Sequence, residues 1–364
     1  MFDKVHFSAD HKSEVTYKER VEEFWAWFEP RSDRFYQTID DGECASLVTE
    51  VSDACQRMLP GLSWVFGPGL HGGHSLTLSG EGNVLKQLLA DYWLELSPEL
   101  PRWTFYAARQ PSDPERLRTL QIGIGVDGDQ HIGTEDFWLR THVDEDAEVI
   151  DIVAWHPLLE SVPDEHHYQI LFLLLDEALG EFGTQTWLGQ IAVERMEKSE
   201  SNQTIASLPE FIKNVENYHG WEKHSPLDCY SIYQFGEQSD MPRGDTVAGA
   251  TCIVSVLSDF FEHGGELLED PLEELGAELV YVAIDSVNLP EGEQAEARGQ
   301  MEDLLDEALG ESMAGRVLGG AYGLKETYID LILFHGETSR EIVQQTLAEM
   351  NLRGEVRIVP FAKG

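Results

Sequence analysis

Seven consecutive residues of this chain occur twice. Leu175-Asp176-Glu177-Ala178-Leu179-Gly180-Glu181 returns as Leu305-Asp306-Glu307-Ala308-Leu309-Gly310-Glu311, and Leu188-Gly189 returns as Leu318-Gly319 at the same offset of 130. Nine of the fifteen positions from 175 to 189 therefore match without a gap. This predicts two copies of one supersecondary unit, a helix running into a strand. The repeat constrains architecture more than chemistry.

Around it, hydrophobic periodicity lays out an α+β chain of duplicated α/β sandwich units, with antiparallel sheets carrying helices on one face. Residues 1–195 read as an N-terminal α+β domain. It opens with an amphipathic helix over Glu19–Phe28 and a second over Cys44–Met58. Strands at Leu62–Phe66 and Ser75–Leu78 flank a Gly- and His-rich hairpin loop, and a helix from Asn83 to Leu96 precedes a strand at Trp103–Ala108. Antiparallel strands follow at Leu120–Val126, around Phe137–Leu139 and at Val149–Trp155, with turns at Asp127-Gly128 and Asp144–Asp146. An almost wholly apolar helix, Asp164–Gly180, then leads to a strand at Trp187–Val193. Residues 196–225 read as a linker containing a helix at Leu208–Val215. Residues 226–364 read as a C-terminal domain, with a strand at Cys229–Phe235 and a helix at Thr246–Phe261. Its last 90 or so residues run strand, helix, strand, strand, helix, strand from Leu279 to Phe361, the order of a ferredoxin-like βαββαβ sheet.

Charge narrows the function classes. The chain has 364 residues, 25 Lys and Arg against 67 Asp and Glu, and a formal net charge of -42. An anionic field of that size repels nucleic acid and anionic lipid, leaving basic partners or adaptation to a salty medium as its explanations. The four cysteines, Cys44, Cys55, Cys229 and Cys252, form no CxxC pair and are expected to be buried free thiols. The N-terminus has no apolar signal core and no segment reaches membrane-spanning length, so a soluble, cytoplasmic protein is expected.

No familiar catalytic constellation emerges. His71 and His74 in the hairpin loop, with His131 or His142, fall short of a metal site because no spacing supplies a third and fourth ligand. The loop glycines are better explained by positive φ. His166-His167 beside Asp164 and Glu165 is a titratable cluster at a helix start. Asp176-Glu177 and Asp306-Glu307 are adjacent on helices and diverge by about 100°, so neither forms a facing acid–base pair. Gly180 and Gly310 fit left-handed positions that stop a helix. Gly315–Gly320 lacks the Lys and Ser/Thr of a phosphate loop, Gly123–Gly125 opens no helix, and Asp127, Asp129 and Asp144–Asp146 lack calcium-loop offsets. No residue is assigned a catalytic role, and no cofactor or metal is expected.

Residues 279–361 resemble bacterial proteins of uncharacterised families grouped near the regulator of ribonuclease E activity B. The resemblance lies in Leu279–Ile284, Met301–Ala308, Arg316-Val317-Leu318-Gly319-Gly320 and Tyr328–Phe334; Phe24–Phe28 and Phe172–Glu181 also look like uncharacterised bacterial cytosolic proteins. It implies a ferredoxin-like fold and an inhibitory, protein-binding habit, and carries over no catalytic residue. The expectation is therefore a non-enzymatic module that binds a basic protein, docking on the sheet face that two helices leave open. The rival is a hydrolase or other small-molecule enzyme with a pocket between the duplicated halves, using His71, His74 or His142.

Overall fold

The computed structural model describes residues 5–7, 14–124, 130–199, 202–222, 224–235, 238–290 and 292–362. The Gly123–Gly125 motif in part, and the Asp127-Gly128 turn and Asp129 entirely, lie outside these residues. The chain is α+β. Its first part holds β1 (Val5–Phe7), α1 (Tyr17–Phe28), α2 (Ser32–Asp40) and α3 (Val48–Met58). Next come β2 (Ser63–Pro68), β3 (His74–Ser79), α4 (Val84–Glu95), β4 (Trp103–Tyr106), α5 (Pro114–Thr119), β5 (Gln121–Ile124) and β6 (Gln130–Gly133). The middle continues with β7 (Trp138–Asp144), β8 (Val149–Trp155), α6 (His167–Leu179), α7 (Glu181–Trp187), β9 (Leu188–Val193), β10 (Gln203–Thr204) and α8 (Leu208–His219). The last part holds β11 (Ser231–Gln234), β12 (Thr246–Thr251), α9 (Val254–Glu262), β13 (Glu278–Asp285), α10 (Gln294–Glu311), β14 (Gly315–Gly323), β15 (Glu326–Leu333), α11 (Gly336–Glu349) and β16 (Val356–Pro360).

These elements form two compact units whose boundaries cut across the division at 195. One unit takes residues 1–62, 96–101 and 229–364; the other takes 63–95 and 102–228. The stretch 196–225, expected to link domains, belongs to the second unit. Its Ile205, Leu208, Ile212, Val215 and Trp221 are buried in the same core as α6 and β8.

The first unit is built on a seven-stranded sheet of order β1-β16-β13-β15-β14-β12-β11, antiparallel except for β1 beside β16. Alternation along its strands places Val280, Val282, Ile329, Leu331 and Ile358 against Leu305 and Leu309 of α10 and Val343 and Leu347 of α11. The opposite face was expected to be open and is covered. Tyr281, Tyr328, Asp330 and Ile332 are all buried there, with Phe260 of α9 and Phe361 packed edge-on to the Tyr281 ring. Thr246–Thr251 begins not a helix but β12, paired with β11 and β14. Threonine, valine and small residues suit a strand, and Gly249 is required because a Cβ there would lie 2.6 Å from the Tyr233 ring. At the N-terminal end, Thr16 and Glu19 form a capping box for α1, whose Tyr17, Val21, Phe24, Trp25 and Phe28 are buried.

Into the covered face runs Arg243. Its guanidinium donates to both carboxylate oxygens of Asp330, at 2.6 and 3.4 Å, and to the Tyr233 hydroxyl, under the rings of Tyr281, Tyr328 and Phe361. Both side chains are 0% exposed. Burial pushes the Asp330 carboxyl up and opposes the Arg243 charge, but facing Asp330 more than restores it. Two donors meeting two acceptors beneath three π-faces describe an ionised pair.

The second unit contains a four-stranded sheet, β10-β7-β8-β9, and a three-stranded one, β2-β3-β4. The hairpin, helix and strand within residues 63–106 form a sheet of their own. β3 and β4 are parallel with α4 between them, as are β8 and β9 with α6 and α7 between them. Among the described residues no helix is long and apolar enough to cross a membrane.

Candidate ligand-binding cleft

The first copy of the repeated heptapeptide lies at a cavity of about 1210 Å³ in the second unit. Helix α6 supplies one wall through two rows at four-residue spacing: Tyr168, Phe172 and Asp176, and beside them Gln169, Leu173 and Glu177. Each row is uncharged at its start and ends in a carboxylate. The facing wall comes from β2 and the loop after it, the turn after β3, and β4 with the loop after it, including Val65, Phe66, Leu70, Glu81, Tyr106 and Arg109. Tyr168, Phe172, Leu173, Val65 and Leu70, which are 39 to 68% exposed, are large apolar side chains gathered around one opening.

Glu181 holds this wall together. Only 1% exposed, it accepts hydrogen bonds from Ser79 Oγ (2.7 Å), Gly82 N (3.0 Å), Gln87 Nε2 (2.8 Å) and Arg109 N (3.3 Å). Its own N–H donates to the Arg109 carbonyl at 2.9 Å. One buried carboxylate therefore fixes the end of β3, the following turn, α4 and the loop after β4. Arg109, so placed, donates through Nε (3.0 Å) and Nη2 (2.6 Å) to Glu81.

Gly180 makes the junction possible. Its φ is +74°, and a Cβ would stand 2.8 Å from the Arg109 carbonyl oxygen and 2.9 Å from Pro111 Cδ. Its ψ of 161° is not that of the left-handed cap expected from sequence. The helix end is closed instead by the neighbouring loop, Ser112 N–H donating to the Glu177 carbonyl at 2.8 Å and Ser112 Oγ–H to the Glu177 carboxylate. Gly310 lies inside α10, which continues to Glu311, so it stops no helix.

Electrostatically the floor is acidic. Glu81, Asp113, Asp176, Glu177 and Glu181 line the cavity against Arg109 and Arg116. Asp113 caps α5, and Glu181 is saturated by its four donors. Burial lifts the Asp176 carboxyl to about 6, with Glu181 and Glu81 adding to the rise while Thr184 and Arg109 oppose it. Burial also pushes the Tyr106 hydroxyl up, keeping it protonated. Asp176 and Glu177 sit in the last turn of α6, where no basic residue answers the negative end of the helix dipole.

The histidines singled out from sequence lie elsewhere. His71 and His131 are exposed, His142 is exposed on β7, and His74 opens β3 against the Trp103 ring. None lines the cleft. No group of three or more His, Cys, Asp or Glu stands ready to hold a metal among the described residues. His167 is a buried staple, its Nε2 2.9 and 2.8 Å from the Leu159 and Val162 carbonyls. Asp144 accepts from the N–H groups of Asp146 and Ala147, closing the β7–β8 turn. Asp306 accepts from Val317 N at 2.9 Å. Of the cysteines only Cys55 is buried; Cys229 is exposed. Glu81, Tyr106 and Arg109 were missed because nothing local marks them, whereas the 168/172/176 spacing was available in the sequence.

No protein-family model, curated protein or solved structure matches the chain.

Proposed function

We propose that the protein is a non-enzymatic binding module that seats a basic segment of another protein in the cleft of its second unit. The observation that carries this reading is the pairing of apolar side chains at the opening with Asp176 and Glu177 on the floor, in a chain of net charge -42. A cation entering there offsets both carboxylates and the helix end, and the surrounding field speeds encounter. The ferredoxin-like reading of residues 279–361 stands beside it. The strand order β16-β13-β15-β14 with two helices on one face supports that reading.

The test is calorimetric titration with a ten-residue Lys/Phe peptide at low and high salt. Binding is expected at low salt, weakened by added salt and by D176N/E177Q, and spared by E307Q/E311Q, which removes two exposed charges from the other unit. Salt-independent binding, or equal loss in both double variants, would overturn it.

One observation favours a second reading. A carboxyl poised at about 6 in a cleft is equipped for proton transfer to a small molecule. That reading predicts turnover with a pH-rate limb near 6 that D176N removes.

A further inference from the structure

The two rows on α6 carry distance information, and this deepens and rests on the binding reading above. Four helical residues rise about 6 Å, so each carboxylate lies about one such step beyond an apolar side chain, Phe172 before Asp176 and Leu173 before Glu177. In an extended peptide, alternate side chains point the same way and are about 6.7 Å apart. The match is between an i, i+4 row on a helix and an i, i+2 row on a strand. A helical ligand presents its own rows but is about 10 Å or more thick, whereas the loop after β4 bonds directly to the C-terminal end of α6, Ser112 N–H to the Glu177 carbonyl at 2.8 Å, which favours the thinner, extended segment.

We infer that the cleft reads an extended segment in which an apolar residue and a Lys or Arg are separated by one residue, the apolar side chain resting on Phe172 and Leu173 and the cation reaching Asp176 and Glu177. Charge complementarity selects this occupant. Arg109, the one cation among the groups that shift Asp176, is already engaged by Glu81. Facing Asp176 are Glu81 from the turn after β3, Arg109 from the loop after β4, and Glu181 and Thr184 from α7, while Glu177, next along its own helix, lines the same cavity. Protonation of Asp176 removes half of the charge that the ligand's cation meets, so the segment binds less tightly below about pH 6.

The decisive experiment uses the intact protein and ten-residue peptides of one composition, each with one Phe and one Lys, followed by NMR titration so that weak binding is measured. Phe-Ser-Lys spacing is expected to bind at least tenfold more tightly than Phe-Lys or Phe-Ser-Ser-Lys, whose two side chains project to opposite faces of an extended chain. Its affinity is expected to fall between pH 7 and 5, with the fall abolished in D176N. Equal binding of all spacings, or an unchanged pH response in D176N, overturns this inference while leaving the basic-segment reading intact. Failure of every basic peptide at low salt overturns both.

Discussion

Replacing Asp330 by Asn leaves the Arg243 guanidinium buried without its counter-charge, while the side-chain volume and one acceptor remain. Because both partners are fully buried and bonded through two N–H groups, the loss should approach the range for breaking a buried pair, about 3–5 kcal/mol. With a urea dependence of about 2 kcal/mol per M for a unit of this size, the first unit's unfolding midpoint should fall by about 1.5–2.5 M. Urea titration followed by tryptophan fluorescence and circular dichroism provides the assay. R243M/D330L, which removes both charges and keeps bulk against Tyr281, Tyr328 and Phe361, should recover most of the loss. A D330N midpoint within about 0.5 M of the parent, or a double variant no better than D330N, would refute the view that this ion pair is buried and mutually dependent.

The two repeat glycines should respond oppositely. G180A forces a Cβ into the Arg109 carbonyl at positive φ and should lower the second unit's stability by about 1–3 kcal/mol, whereas G310A, in open space on α10, should raise the first unit's by about 0.5–1 kcal/mol; thermal unfolding of both variants checks this. E181A strips four donors of their acceptor and should cost the second unit about 2 kcal/mol or more, visible as lost hydrogen-exchange protection in the β3–α4 turn. Asp176 has a folded pKa of about 6, above the unfolded value of about 3.9, so the folded state holds more protons between the two. The second unit should therefore lose stability as pH rises through that window, and chemical denaturation of D176N should show the slope removed and a higher midpoint at pH 7. Burial pushes the Cys55 thiol up to about 12, so alkylation mapped by mass spectrometry should label exposed Cys229 well before Cys55.

Much of the local structure was legible from the residues themselves. From Leu279 onward, short apolar runs alternate with long helical stretches, and the observed element order from β13 to β16 follows that pattern because each strand is apolar enough to be buried and each helix keeps one apolar stripe. Helix α6 was legible for the same reason. Segments too short for periodicity were not: α7 spans seven residues and β10 two, and both take their form from what they pack against. The division into units was also hidden, since sequence order cannot announce that 1–62 joins 229–364.

The repeated heptapeptide separates the two kinds of information. Leu175–Leu179 and Leu305–Leu309 share helical propensity and an apolar stripe, and both copies lie in helices. What happens next depends on the surroundings. At Gly180 the Arg109 carbonyl and Pro111 press against the backbone, Ser112 N–H donates to the Glu177 carbonyl, and Glu181 turns inward to four donors, which ends one helix and starts another. At Gly310 no neighbour comes within 4 Å, the helix runs on, and Glu311 remains exposed. Seven identical residues thus carry the same helical pattern into both places, but the helix end, and with it the floor of the cleft, is decided by backbone groups and a carboxylate that meet only when distant loops are packed together.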